Sequence, residues 1–195
     1  YKDSPFIPDD DTQADMYLYM IDTLSTYGYK QYEISNFAMN GKESRHNMKY
    51  WTGQEYMGFG AAAHSYVGGQ RYSYVADMDE YCDAIFKGGM LVDQSEYISD
   101  FERAGEYLML GLRTTYGICE SEYKSIIRAS FDAIRTRLEL LMKHGFIEMH
   151  DGRYSLTSNG FLVSNIIIGQ VLDLHTEARN SLTNPIHERN GGLTA

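Results

Sequence analysis

The sequence predicts an α/β fold in two unequal parts. Residues 1–76 read as the closing helix-and-strand portion of a barrel, 77–175 as a mostly helical, winged-helix-like domain with one small β-hairpin, and 176–195 as a loose tail. Three observations lead there. A capped helix is followed at once by a short aromatic strand, the repeat unit of α/β barrels. Near Asp77 the apolar pattern changes from alternation to a 3.6-residue period. Finally, Asp151-Gly152 turns a short hairpin between two helical stretches, the order of a wing.

Taken along the chain, Pro5 and Pro8 punctuate the opening, and Asp9-Asp10-Asp11-Thr12 offers an N-cap and first-turn anions to a helix reaching about Tyr27. Met16, Tyr17, Met20, Ile21 and Leu24 fall on one face of it, and Gly28 is placed to end it. Residues 29–34 follow as a strand, and Asn40-Gly41 turns the chain. Residues 46–51 then lie on a loop past the strand's C-terminal end, where ligand sites of α/β sheets gather. Residues 57–66 read as a small-residue strand, turned by Gly68-Gly69 into a partner over 71–75. Beyond Asp77, the helix marked by Met78, Tyr81 and Ile85 stops at Gly88-Gly89. Ser99-Asp100-Phe101-Glu102 is a capping box for a helix carrying Phe101, Tyr107, Leu108, Leu110 and Leu112. A short helix covers 120–127, and Ser130 caps another with Ile134, Leu138, Leu141 and Met142 inward. After the hairpin of 146–149 and 153–156, Ser158 starts a last helix to about Leu172.

With 43% hydrophobic and 13% aromatic residues the chain has ample material for a core. The net charge of −10 argues against nucleic acid as a partner, because phosphate binding needs clustered Lys and Arg. A winged helix invites a DNA-binding reading, carried by Arg128, Arg135, Arg137, Lys143 and Arg153, but acids outnumber bases over 95–175, so that reading is disfavoured. The apolar stretch at 161–168 is interrupted by Ser164 and Asn165, too short to span a bilayer, which leaves only peripheral membrane contact open. No secretory signal pattern opens the chain, and a cytoplasmic location is expected. Cys82 and Cys119 stand far apart without a Cys-x-x-Cys pattern and read as unpaired structural thiols.

Residues 44–66 concentrate the chemistry. His46-Asn47-Met48-Lys49-Tyr50-Trp51 supplies an imidazole, a carboxamide and two large π-faces, suited to a flat ligand. Gly58-Phe59-Gly60-Ala61-Ala62-Ala63-His64-Ser65 is a small-residue run that lets backbone amides approach a ligand or, equally, lets chain segments pack tightly. His64 is open to either a ligating or a hydrogen-bonded structural role. Arg45, Lys49 and Arg71 are the local cations for an anionic substrate.

Tyr32-Glu33-Ile34-Ser35-Asn36-Phe37-Ala38, then Ser44-Arg45-His46-Asn47 with Tyr50-Trp51, then Gly58-Phe59-Gly60 with Ala63-His64-Ser65-Tyr66 resemble three consecutive motifs of the HemW group of radical-SAM proteins. That group is also described as oxygen-independent coproporphyrinogen III oxidase-like. The resemblance runs over about residues 5–172 and implies the C-terminal part of a longer protein. A radical-SAM barrel holding S-adenosylmethionine (SAM) and a [4Fe–4S] cluster would bind its cluster through a Cys-x-x-x-Cys-x-x-Cys loop that this chain does not contain, so the chain by itself is expected to be inactive. Haem binding and delivery, a chaperone role, is the activity it implies first. His46 is then the axial iron ligand, with Asn47, Tyr50 and Trp51 lining the macrocycle. Gly58, Gly60, Ala63 and His64 would form a wall beside SAM or substrate. The alternative is oxidative decarboxylation of coproporphyrinogen III, whose carboxylates would meet Arg45, Lys49 and Arg71, but the oxidases carry a different stretch in place of His-Asn-x-x-Tyr-Trp. One departure lies within the group: Ala61-Ala62 stands where Pro-Gly is usual. The haem acceptor is not legible, and an open barrel edge predicts self-association.

Overall fold

The computed structural model describes residues 7–183. Asp9 opens the chain's first helix, α1 (Asp10–Thr26), by accepting the Thr12 amide on its carboxylate at 2.8 Å. Tyr17, Leu18, Ile21 and Leu24 form its half-buried face, whereas Met16 and Met20, expected beside them, remain exposed. β1 (Tyr29–Gln31), shorter than the strand expected over 29–34, pairs antiparallel with β2 (Phe37–Met39). Past it, Glu33 makes an isolated bridge to Thr114, and this ties the hairpin to the second half of the chain.

The segment expected as a loop over 46–51 is instead a helix, α2 (Arg45–Trp51), because the Ser44 hydroxyl caps it by accepting the Asn47 amide at 3.3 Å. The strand expected over 57–66 contracts to β3 (His64–Val67), since residues 58–63 double back with Gly60 at φ 106° and Ala62 at φ 58°. β3 pairs with β4 (Gln70–Tyr74) through the Gly68-Gly69 turn, as read from the sequence. After α3 (Met78–Lys87), a strand that no apolar alternation announces, β5 (Val92–Tyr97), joins β4 antiparallel. All six of its residues are exposed, which is why an edge strand of this polar composition escapes pattern reading. Its pairing with β4 also crosses the position near Asp77 where a domain boundary is expected. All strand pairing among the described residues is antiparallel.

The main core lies in the second half. The capping box at Ser99 and Glu102 is formed in both directions and opens α4 (Asp100–Gly111). α5 (Glu120–Ile126) and α6 (Asp132–Lys143) follow, then the hairpin of β6 (Ile147–His150) and β7 (Arg153–Leu156). Assigned one residue later than expected, the N-cap of α6 is Phe131, although the Ser130 hydroxyl still accepts the Asp132 amide at 3.1 Å. Leu108, Leu112, Ile118, Tyr123, Phe131, Ile134, Leu138 and Leu156 pack with Ile167 and Val171 in one apolar cluster, each at most 2% exposed. The single last helix of the sequence reading is two: α7 (Ser158–Leu162), then α8 (Ser164–Thr183). α8 runs well beyond Leu172, so 176–183 is helical, not loose. His175, 3% exposed, extends the buried face of α8 past the apolar pattern. The rest of the expected tail, 184–195, lies outside the described residues. Among these, no helix is long and apolar enough to cross a membrane.

Candidate functional site

Helical geometry sorts the residues of the 46–51 motif. His46, Lys49 and Tyr50 stand three and four apart on one face, while Trp51 points elsewhere. His46 and Tyr50 are exposed, and their Nε2 and hydroxyl oxygen lie 3.1 Å apart with ring centroids 5.1 Å apart at 87°. Tyr56 packs edge-on to Tyr50, centroids 4.6 Å apart. Its backbone is pinned to Tyr66 by reciprocal N–H···O bonds of 2.9 Å each. Three rings therefore make a ridge on a fixed base, with the imidazole at its open end. Tyr56 was not legible as a site residue; a lone tyrosine between Gly53 and Gly58 carries no periodic signal.

Trp51 and Asn47 are half-buried. The indole lines a narrow cleft with Tyr66, Arg103, Glu106, Tyr107 and Leu110, where α2 meets α4. Tyr66 links this cleft to the ridge, since it carries Tyr56 on one side and the Arg71 guanidinium 5.8 Å from its ring centroid.

The small-residue run is a tight loop whose amides are engaged within the fold. Gly58 N–H donates to Ser65 Oγ at 3.0 Å, Ala62 N–H to the Val75 carbonyl at 3.0 Å and Ala63 N–H to the Gly60 carbonyl at 3.2 Å. A Cβ on Gly58 would sit 2.3 Å from the His64 carbonyl oxygen, so close backbone packing dictates glycine there. Ala62 takes a left-handed φ of 58°, a conformation suited to the glycine that the resemblance places at this position.

His64 is exposed at the start of β3, opposite Ser73, and lines a polar cleft with Arg71, Gln94 and Glu96. Arg71 bonds Glu106 through one nitrogen at 2.8 and 2.9 Å and reaches Glu96 at 3.5 Å. Partial burial disfavours its charge, but the two carboxylates outweigh this and hold its pKa above the ordinary arginine value. Glu106, on α4, is a partner the local motif could not reveal. By contrast, Arg45 and Lys49 are exposed and make no ion pair among the described residues.

The structure thus brings His46, Lys49 and Tyr50 together on an open face, with Trp51 and Arg71 half-buried near α4 and His64 exposed in the polar cleft. Cys82 is half-buried and Cys119 buried, both free thiols.

Comparison with known proteins places this geometry. The family model of the HemN C-terminal domain matches residues 98–163, from the start of α4 to the break before α8. The heme chaperone HemW of Bacillus subtilis is 34% identical over 167 residues, which are 85% of this chain and 44% of that protein. The heme chaperone HemW of Lactococcus lactis is 31% identical over 167 residues, again 85% and 44%. Among solved structures, the radical-SAM enzyme coproporphyrinogen III oxidase (HemN) of Escherichia coli superposes with a TM-score of 0.63 at 15% identity, over 85% of this chain and 42% of that one. At that identity the likeness is one of fold. The chain spans less than half the length of these relatives.

Proposed function

This chain is a relative of the HemW-type radical-SAM proteins, and from that premise we propose that it is part of a protein that binds haem and hands it on. The observation that carries this reading is the exposed His46 imidazole at the end of the Tyr50–Tyr56 ridge. A neutral imidazole is a good axial ligand for haem iron, and flat aromatic walls favour a flat macrocycle. Lys49, one turn along the same face, and Arg45 make no ion pair among the described residues and would be the cations that meet the ring's carboxylates.

SAM and a [4Fe–4S] cluster fit the parent protein and not the residues described here, whose two thiols stand apart; they would supply radical chemistry from a region beyond this chain. We read α1 with the β1–β2 hairpin as the closing portion of that barrel. We read α5, α6 and the β6–β7 hairpin as a winged-helix-like lid or partner dock. A duplex-reading role has little support, because three of the five bases it would use are already engaged. Arg135 pairs with Glu120 and Asp132, Arg137 donates to Gln170, and Arg153 pairs with Glu122. Exposed Phe86 at the end of α3 and Met90 just after it support self-association, as does Phe59 in the small-residue loop. The oxidase reading is weaker for a physical reason: of its three cations, Arg71 is already neutralised by Glu106 and Glu96.

Haemin titration of the full chain tests the proposal. His46→Ala is expected to lose the stoichiometric Soret transition with little change in melting temperature, since the ring is exposed. An unchanged titration in a folded variant would remove His46 from the site.

A further inference from the structure

We propose that Tyr50 is a latch on His46, occupying Nε2 in the empty site so that haem iron must displace the phenol to bind. This rests on the reading of His46 as the iron ligand. The Tyr50 hydroxyl lies 3.1 Å from Nε2, within hydrogen-bonding distance in either tautomer of the ring. If Nε2 bears the lone pair, the phenol donates into the electron pair that iron requires. If Nε2 bears the proton, it donates to the phenol oxygen, and that nitrogen can take iron only after the proton has left it. Either way, Nε2 is not free until Tyr50 leaves it.

The latch is set by more than the helix. Tyr50 is held edge-on against Tyr56, which the paired bonds to Tyr66 keep in place, so the hydroxyl is presented to His46 from a fixed platform. It is also releasable. Tyr50 is 41% exposed, so its hydroxyl can turn to water at small cost. A net hydrogen bond of this kind changes an equilibrium constant by roughly two- to tenfold. Tyr50 is therefore a positioning residue that lowers the affinity of His46 for its cargo, a useful property in a protein that must give the cargo up.

Tyr50→Phe keeps the ring and its contact with Tyr56 and removes only the hydroxyl. Haemin titrations of the full chain, followed in the Soret band, should show the variant binding roughly two- to tenfold more tightly than the parent. In a His46→Ala background the same substitution should make no difference to residual haemin binding. Unchanged or weaker affinity in Tyr50→Phe overturns the latch, and so does equal tightening in both backgrounds. The two ideas separate cleanly. If His46→Ala abolishes binding and Tyr50→Phe is silent, the latch alone fails. If His46→Ala leaves haemin binding intact, the ligand reading fails and the latch with it.

Discussion

The Tyr123 hydroxyl lies 2.9 Å from Nδ1 of His175, and Nε2 of that ring lies 3.0 Å from the Phe101 carbonyl. The carbonyl can only accept, so Nε2 carries the proton and Nδ1 receives the phenol's: the neutral ring is satisfied on both sides. It also stacks on Phe101 with centroids 4.1 Å apart, and so joins α4, α5 and α8 in one buried contact. Burial lowers the imidazole pKa below its ordinary value, the bond to the Phe101 carbonyl opposes this, and nearby Arg179 reinforces it. The unfolded chain therefore binds a proton more readily than the fold. Stability from this site is complete above the unfolded value of about 6.5 and declines as pH falls below it. Urea midpoints measured from pH 7.5 to 5 should drop in the parent and drop less in His175→Gln; equal slopes would refute the assignment.

One guanidinium ties the β6–β7 hairpin to α5 and to the turn at Tyr116-Gly117. Arg153 grips both Glu122 oxygens, at 2.7 and 2.9 Å, donates to the Tyr116 and Gly117 carbonyls and lies 3.7 Å over the Tyr116 ring. Arg153→Met is expected to cost about 2–3 kcal/mol, below the usual penalty for a fully buried pair because water reaches Glu122. Arg153→Lys should recover little of it, since an ammonium cannot make the planar fork. Chemical denaturation of the two variants checks this, and full rescue by lysine would show that charge alone matters.

The loop before β3 holds two positions of opposite sign. Gly58→Ala forces a Cβ into the His64 carbonyl and should cost about 1–3 kcal/mol. Ala62→Gly relieves a left-handed alanine and should stabilise, by about 1 kcal/mol before the greater freedom of glycine in the unfolded chain is subtracted. Melting temperatures moving in the same direction for both would contradict the backbone geometry.

What the sequence revealed and what it withheld have a common cause. Local signals translate directly: the capping box at Ser99, the Asp9 cap, the Gly68-Gly69 turn and the leucines of α4 and α6 each depend on residues a few positions away. Features decided at long range do not. β5 is polar and exists because β4 offers it an edge, and α8 continues past its apolar pattern because His175 finds Tyr123 and Phe101. In the site, the motif located His46 and Tyr50 but could not show that Trp51 faces the opposite way. Nor could it show that Arg71 is taken by Glu106, thirty-five residues later.

That last relationship yields a prediction about which cations serve the fold and which serve a ligand. Arg71 joins β4 to α4 through Glu106, so Arg71→Ala should loosen the sheet from the helical half, at a cost of about 1–2 kcal/mol for a partly exposed pair with charge-assisted bonds. Its effect on haemin binding per folded molecule should be small, because the guanidinium already has its anions. Lys49→Ala is the mirror case. The ammonium is exposed and without an ion pair among the described residues, so stability should shift by less than about 0.5 kcal/mol. Haemin affinity should fall severalfold, and its dependence on salt should weaken, because one screened contact to a carboxylate is lost. Haemin titrations at two salt concentrations, paired with urea unfolding, separate the roles. If Arg71→Ala lost haemin affinity in a stable protein while Lys49→Ala kept it, the carboxylates would belong in the cleft beside His64, and the ridge of α2 would not be the place where the ring lies.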